Sequence, residues 1–528
     1  MISRVGVLFL AVACCLAGAV PAMADRLDEI RARGHLIVGV KGDYHPFGVR
    51  DDTGKLVGYD IDVAHGLAEA VGVPARLIPV TSANRLQKLA RGEIDVVVAT
   101  LGDNRSRRRL VTMIEPQYYG DGANVLLRTG SGITTWESLR GRTLCSVQGS
   151  LWNRPANERL LVETVSLNST REAALALRNG HCVGWLYDEV NLLSALASGD
   201  WDGFEVTLPT RFVAPWAIAI RKEEAGGRLD RLLGDKVASW HRDGYLQELE
   251  KKWKLPPSPY LRHAREVWQR KDGAGEFVCR RDDDGNWPLE CRERALVTSQ
   301  ELGGLTAISM AFKESTGLDL SPVYDPLDRS KFLYGLFLTV ALSVLTVVGS
   351  VVFGALFGWV MHRRIAVAAP FLHAFCAVLR MTPPLLQLYV VFFGIGGILF
   401  AYGFTLDAFS LAAAVLSLYA ASSNAVSFSL AADVAARDGG SLGFSLSELR
   451  RAFDLCQAAI AGNSINIVKA TGMASTLALP ELVHASTAII AEKGNDGVMM
   501  NLLLLCYFAL VFATIWLLRG WERRAQQA

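Results

Sequence analysis

Short apolar runs alternate with charged ones over residues 26 to 330, whereas residues 332 to 520 are mostly apolar. In the first stretch, "HLIVGV", "ARLIPV", "IDVVVAT", "TLCSVQG" and "CVGWLYD" read as strands, and "DVAHGLAEAVG" and "TREAALALRNG" have helical periodicity. That alternation predicts α/β units with parallel sheets over residues 35 to 260. In the second stretch, Phe332 to Met361 is one uncharged run, ample for a membrane helix of about 20 residues. Further apolar runs follow at 385 to 404, 407 to 431, 465 to 490 and 498 to 518, which predicts five spans.

Charge at the ends of these runs orients them. His362, Arg363 and Arg364 close the first, Arg519, Arg523 and Arg524 the last, and Arg437, Arg450 and Arg451 lie between the third and fourth. By the positive-inside rule all three ends face the cytoplasm. Gly354 and Gly358, spaced as GxxxG, predict close helix packing. Pro383 and Pro384 sit at the edge of the second run, where a helix must break.

Residues 1 to 24 read as a signal peptide, with Arg4, an apolar core and Ala22-Met23-Ala24 as cleavage site. Export bears on the nine cysteines. Cys279 and Cys291 flank a turn-like "RRDDDGNWPLE", so an oxidising compartment predicts a disulfide between them. Cys145 and Cys182 form a weaker candidate pair. The absence of a CxxC motif argues against a metal site, and no cofactor is indicated. A net charge of +2 without a basic tail gives no sign of nucleic-acid binding.

In open α/β sheets, ligands sit outside the carboxyl ends of strands. Those ends carry Tyr44, Arg105, a Gly149-Ser150 helix start and Asp188. Arginine grips a carboxylate with paired hydrogen bonds, a helix start adds free N–H groups, aspartate holds an ammonium and tyrosine covers an aliphatic stem. Together they suit a zwitterion, an amino acid. Singly, each has a structural reading: Arg105 stands in a run of arginines, Asp188 suits a helix cap, and Tyr44 suits a core.

"VGVKGDYHPFGVRDDTGKLVGYDIDVA", "RGEIDVVVATLGDNR", "PWAIAIRK" and "DGYLQELEKKWKL" resemble the amino-acid-binding periplasmic solute-binding proteins of family 3. The resemblance covers residues 28 to 256 and implies a two-lobed α/β fold of the periplasmic binding protein type. It places lobe one at 30–117 and 212–260, lobe two at 121–206, and crossings near Tyr119 and Arg211. It assigns ligand stacking to Tyr44, carboxylate binding to Thr100 and Arg105, a helix-start donor to Ser150 and the ammonium to Asp188. Gly102 and Val98 depart from the family's usual residues.

"AVLRMTPPLLQLYVVFFG" and "GNSINIVKATGMASTLALPELVHAS", with Asn463, Lys469 and Thr471 in matching places, resemble polar amino-acid permeases of ATP-driven (ABC) transporters over 332 to 524. The organisation implied is a signal peptide at 1–24, a binding domain at 26–260, a linker with the cysteine hairpin at 261–330 and an all-α, five-span permease at 331–524. The chain would bind a polar amino acid on the periplasmic side of the bacterial inner membrane and pass it through its own permease. It carries no G-x-x-x-x-G-K-[ST] loop, so the ATPase would be a separate chain, with a homo- or heterodimer of permease chains. Where the resemblance expects the ATPase-docking loop, Arg437, Asp438 and Gly439 replace Glu-Ala-Ala, and Gly443 is retained. That departure leaves a non-transporting sensor as an alternative. A ligand-gated channel fits less well, because the binding domain is uninterrupted. A periplasmic dehydratase would leave the apolar half unexplained, so no enzyme is expected.

Overall fold

The computed structural model describes residues 25–293, 295–296, 312, 316, 318–439 and 446–527. The signal-peptide segment and Gly443 lie outside them. The first lobe is a five-stranded sheet in the order Ala75–Val80, Leu36–Lys41, Val96–Val98, Ala219–Arg221, Val111–Met113. Its first three strands are parallel, with Val38 opposite both Leu77 and Val96. Val38, Val40 and Val96 to Val98 are fully buried, as strands covered on both faces must be. Helix Tyr59–Val71 lays Val63, Ala64, Leu67 and Val71 into this core and ends at Gly72 in the left-handed region.

The second lobe orders Glu163–Leu167, Thr143–Val147, Gly184–Asp188, Tyr119–Arg128 and Phe204–Glu205, and Arg211–Trp216 also pairs with Tyr119–Arg128. The chain therefore crosses to lobe two just before Tyr119, as expected. The return crossing differs: Arg211–Trp216 extends the lobe-two sheet, with Trp216 opposite Tyr119, and the chain re-enters lobe one at Ala219.

Both candidate disulfides are formed, Cys145–Cys182 and Cys279–Cys291. The second packs with Trp268, Trp287 and Ala238. The segments flanking its turn are not strands. The Trp287 indole donates to the Glu115 carbonyl at 2.8 Å and packs edge-on against Trp268, so tertiary contacts take the place of hairpin pairing.

Among the described residues, four helices are long and apolar enough to cross a membrane: Pro326–His362, Pro384–Ala401, Ala408–Arg437 and Asp496–Leu518. A fifth candidate is a pair, Leu449–Leu477 and Leu482–Lys493, bent by 51°. The expected span at 465–490 therefore straddles a break. In a bilayer the amides freed by such a break need partners within the protein. Glu481 supplies them, accepting from the amides of Val483 (2.9 Å) and His484 (3.0 Å).

The adjacent prolines mark a second break. Helix Ala368–Met381 ends at Thr382, and Pro384 occupies the first turn of the next helix, where its missing N–H costs nothing. The Gln387 side-chain Nε2 donates to the carbonyls of Leu379 (2.7 Å) and Thr382 (3.1 Å), satisfying what the break frees. Gly354 and Gly358 do pack closely, against helix Ala408–Gly439: a Cβ on Gly358 would meet the Ala425 carbonyl oxygen at 2.6 Å.

The soluble part rests on the ends of these helices. Arg154 pairs with Asp325 (2.6 Å), Glu492 (2.9 Å) and Asp328 (3.5 Å), and Lys493 closes the cluster on Asp325 and Asp328. Gln148 donates to Thr487 at 2.7 Å, and the His181 ring stacks on Phe392. Lobe one contributes Arg91, 2.8 Å from Asp496. Both lobes thus touch the helical half.

Arg154→Ala strands buried carboxylates and is expected to cost about 3–5 kcal/mol, read by thermal unfolding of the full chain in detergent. An unchanged melting temperature would show that the two halves do not rest on each other through this cluster.

A pH effect follows from His241, whose Nε2 lies 2.8 Å from the Gln117 carbonyl oxygen. Burial lowers it from 6.5 to about 4. Between those values the unfolded chain takes a proton that the folded one refuses, so this residue's contribution is complete above pH 6.5 and is lost as pH falls toward 4. Asp60 and Glu250, pushed up to about 7 by burial, act in the opposite direction, because the folded state holds their protons more tightly. The discriminating quantity is the melting temperature of His241→Gln minus that of the parent. It should rise as pH is lowered through this window; a flat difference would exclude His241 as a source of acid sensitivity.

Candidate functional site

A cleft enclosing about 260 Å³, part of it open to solvent, lies between the lobes. Thr100, Gly102 and Arg107 line it from lobe one, Ser150, Tyr187 and Asp188 from lobe two. The lobes are shut on each other there. Gly149 takes φ +77, and a Cβ on it would meet the Ser82 carbonyl oxygen at 2.4 Å, so only glycine permits this approach. A Cβ on Gly102 would meet the movable end of the Leu151 side chain at 2.5 Å.

Asp188 ends strand Gly184–Asp188 and is buried. Its side chain does not cap the following helix. Instead one oxygen accepts from the Tyr44 hydroxyl (2.5 Å) and the other from the Trp152 indole (2.7 Å). Burial pushes the carboxyl up, while these donors and the charges of Arg85 and Lys41 pull it down. Each oxygen keeps lone pairs for a further donor.

Tyr44 is the first departure from the expected site. It is fully buried among Phe47, Tyr187 and Trp216, outside the cleft lining, and bridges the lobes through Asp188. The aromatic faces that do line the cleft are Tyr187 and Trp216.

Arg105 is the second. It is exposed and outside the lining, whereas Arg107, two residues on, lines the cleft and is 4% exposed. The local reason is the cap. Asn104 accepts from the Arg107 amide at 2.7 Å and starts helix Arg105–Leu110, which points its first residue outward and its third inward. Arg107 then donates to the Gly102 carbonyl (2.8 Å) and, across the lobes, to the Gly149 carbonyl (2.9 Å). Burial, then the like charge of Arg85, lowers the Arg107 guanidinium. The asparagine cap was a signal in the sequence that would have favoured Arg107.

Thr100 lines the cleft as expected, at φ +48, a costly conformation for a β-branched residue. Its amide donates to Asp60 (2.9 Å) and to the Tyr118 hydroxyl (3.1 Å), which hold the strained turn. Ser150 also lines the cleft, but its amide already donates to the Val147 carbonyl, and the helical stretch that follows, Asn153–Pro155 continued by Ala156–Leu160, begins three residues later. The Ser150 amide is therefore not a free helix-start donor.

A two-lobed α/β body closed over a cleft that holds a guanidinium and a carboxylate defines a binding protein for small solutes. The chain belongs to the bacterial extracellular solute-binding proteins, family 3, whose model matches residues 36–256. It is 32% identical to the glutamine-binding protein of Geobacillus stearothermophilus over 38% of this chain and 77% of that one. It is 29% identical to the L-cystine-binding protein TcyJ of Escherichia coli (strain K12), over 46% of this chain and 92% of that one. It is 24% identical to the glutamate/aspartate import solute-binding protein of the same strain, over 46% and 83%. The family model ends at residue 256, before the helical half begins.

Arg107→Ala and Asp188→Ala should each weaken amino-acid binding about 30-fold or more, the cost of removing one partner of a buried charge pair. Arg105→Ala, at an exposed position, should change it no more than about twofold. Titration calorimetry on the three variants separates the two arginines; a larger loss from Arg105→Ala would return the site to the arrangement expected from the sequence.

Proposed function

We propose that the chain captures a polar amino acid outside the cytoplasmic membrane and passes it through its own helical half. Residues 26–260 would be the binding domain, 261–330 the linker and 331–524 a five-span permease, energised by a separate ATPase and paired with a second permease chain. The observation that carries the binding step is the opposition of Arg107 and Asp188 across one closed cleft, a complement to the carboxylate and ammonium of a zwitterion. Contacts from both lobes to the helix ends, Arg91 with Asp496 and Arg154 with Asp325, support delivery to the same chain. Lobe opening would have to break or shift these pairs, which ties the ligand state to the helices.

A second reading, a sensor that does not transport, is favoured by one observation. Arg437 is exposed near the end of helix Ala408–Gly439, where the permease resemblance expects the glutamate of an ATPase-docking loop. A reversed charge repels a groove built for the opposite one.

The experiment is ATP hydrolysis by the full chain reconstituted in lipid with a candidate ATPase, with and without amino acid. Transport predicts stimulation by ligand and a changed stimulation when Arg437→Glu, Asp438→Ala and Gly439→Ala are combined. Ligand binding without stimulation in either protein favours the sensor.

A further inference from the structure

The cleft carries more positive charge than a simple zwitterion needs. A second guanidinium, Arg85 from helix Arg85–Ala90, lines it beside Arg107, while Asp188 is the only carboxylate among the described lining residues. Arg85 is 2% exposed, and its Nη1 donates to the carbonyls of Ala99 and Thr100. Its Nε is buried with no hydrogen-bond partner. A buried donor left unpaired is costly, and a buried guanidinium facing another of like charge more so. Behind the wall, Lys41 lies 3.6 Å from Asp43, and the Asp60 carboxyl, pushed up to about 7 by burial, accepts from Thr100 and Tyr118. Neither gives Arg85 a full carboxylate of its own.

We propose that Arg85 receives a second carboxylate, so that the ligand is a small acidic amino acid. This rests on the reading of the cleft as an amino-acid site. Arg107 then faces the α-carboxylate, Asp188 the ammonium and Arg85 the side-chain carboxylate. Two positive lining groups and one negative meet two negative ligand groups and one positive. A neutral amide would accept from the Nε–H but leave one guanidinium uncompensated, and a basic side chain would face two cations. Leu151, Tyr187 and Trp216 wall the space around these charges.

The test is titration calorimetry on the full chain in lipid nanodiscs with L-glutamate, L-aspartate, L-glutamine and L-arginine. The acids should bind the parent at least about tenfold more tightly than glutamine. Arg85→Gln should cost about 30-fold or more in acid affinity and bring the acid-to-amide ratio close to unity. Arg85→Lys, which keeps the charge, should retain part of the preference. The parent's own ranking needs no variant, so a misfolded substitution does not leave the question open. Tighter binding of glutamine or arginine than of both acids overturns the inference while amino-acid binding stands, as does a folded Arg85→Gln with the full acid preference. Binding of no amino acid by the parent removes both.

Discussion

A carboxylate taken out of water between two lobes organises this protein. Asp188 is buried at a strand end, and an isolated charge there would be expensive. Its two oxygens are satisfied from different places: Tyr44 reaches from lobe one, Trp152 from its own lobe. The same group that serves the cleft therefore joins the lobes. The aromatic cluster around Tyr44, with Phe47, Tyr119 and Trp216, surrounds the crossing strands, so closure buries rings as well as charge. Arg107 repeats the device from the other side, donating one N–H to a carbonyl of each lobe. Gly149 permits it, because a Cβ there would meet the Ser82 backbone and hold the lobes apart.

The helical half obeys a related constraint, that no backbone group be left without a partner where water is absent. Its two breaks are repaired by side chains close in sequence, Gln387 after the prolines and Glu481 before Leu482. Glu481 also accepts from Thr339, on helix Pro326–His362, so the repaired break is pinned to its neighbour. Small residues let two of its helices approach closely, as Gly354 and Gly358 do against helix Ala408–Gly439.

The halves meet through charge. Arg154 is raised despite burial, because Glu492, Asp328 and Asp325 surround it. Such a cluster is worth little if dissolved in water and costly to break once buried, which makes it a positional constraint more than a source of stability. It lies on lobe two, whereas the ion pair from lobe one, Arg91 with Asp496, is exposed and correspondingly weak.

The sequence by itself determined the alternation of strands and helices, the apolar runs, the broken second run and the oxidised pair Cys279–Cys291, because each is written in local periodicity, run length or residue type. Ser150 and Asp188 were legible as cleft residues because strand ends in such sheets converge there, and Thr100 through the family resemblance. What only the tertiary structure decided is which way side chains face once several elements meet. A cap at Asn104 turned Arg105 outward and Arg107 inward. Closure of the lobes hid Tyr44 behind Asp188 and brought Tyr187 and Trp216 to the surface of the cleft. Arg85 reads locally as one more residue of a surface helix; burial against the carbonyls of Ala99 and Thr100, supplied by a strand end and the loop after it, makes it a charge within the cleft. Direction and burial depend on contacts between segments far apart in the chain, and local pattern carries no record of them.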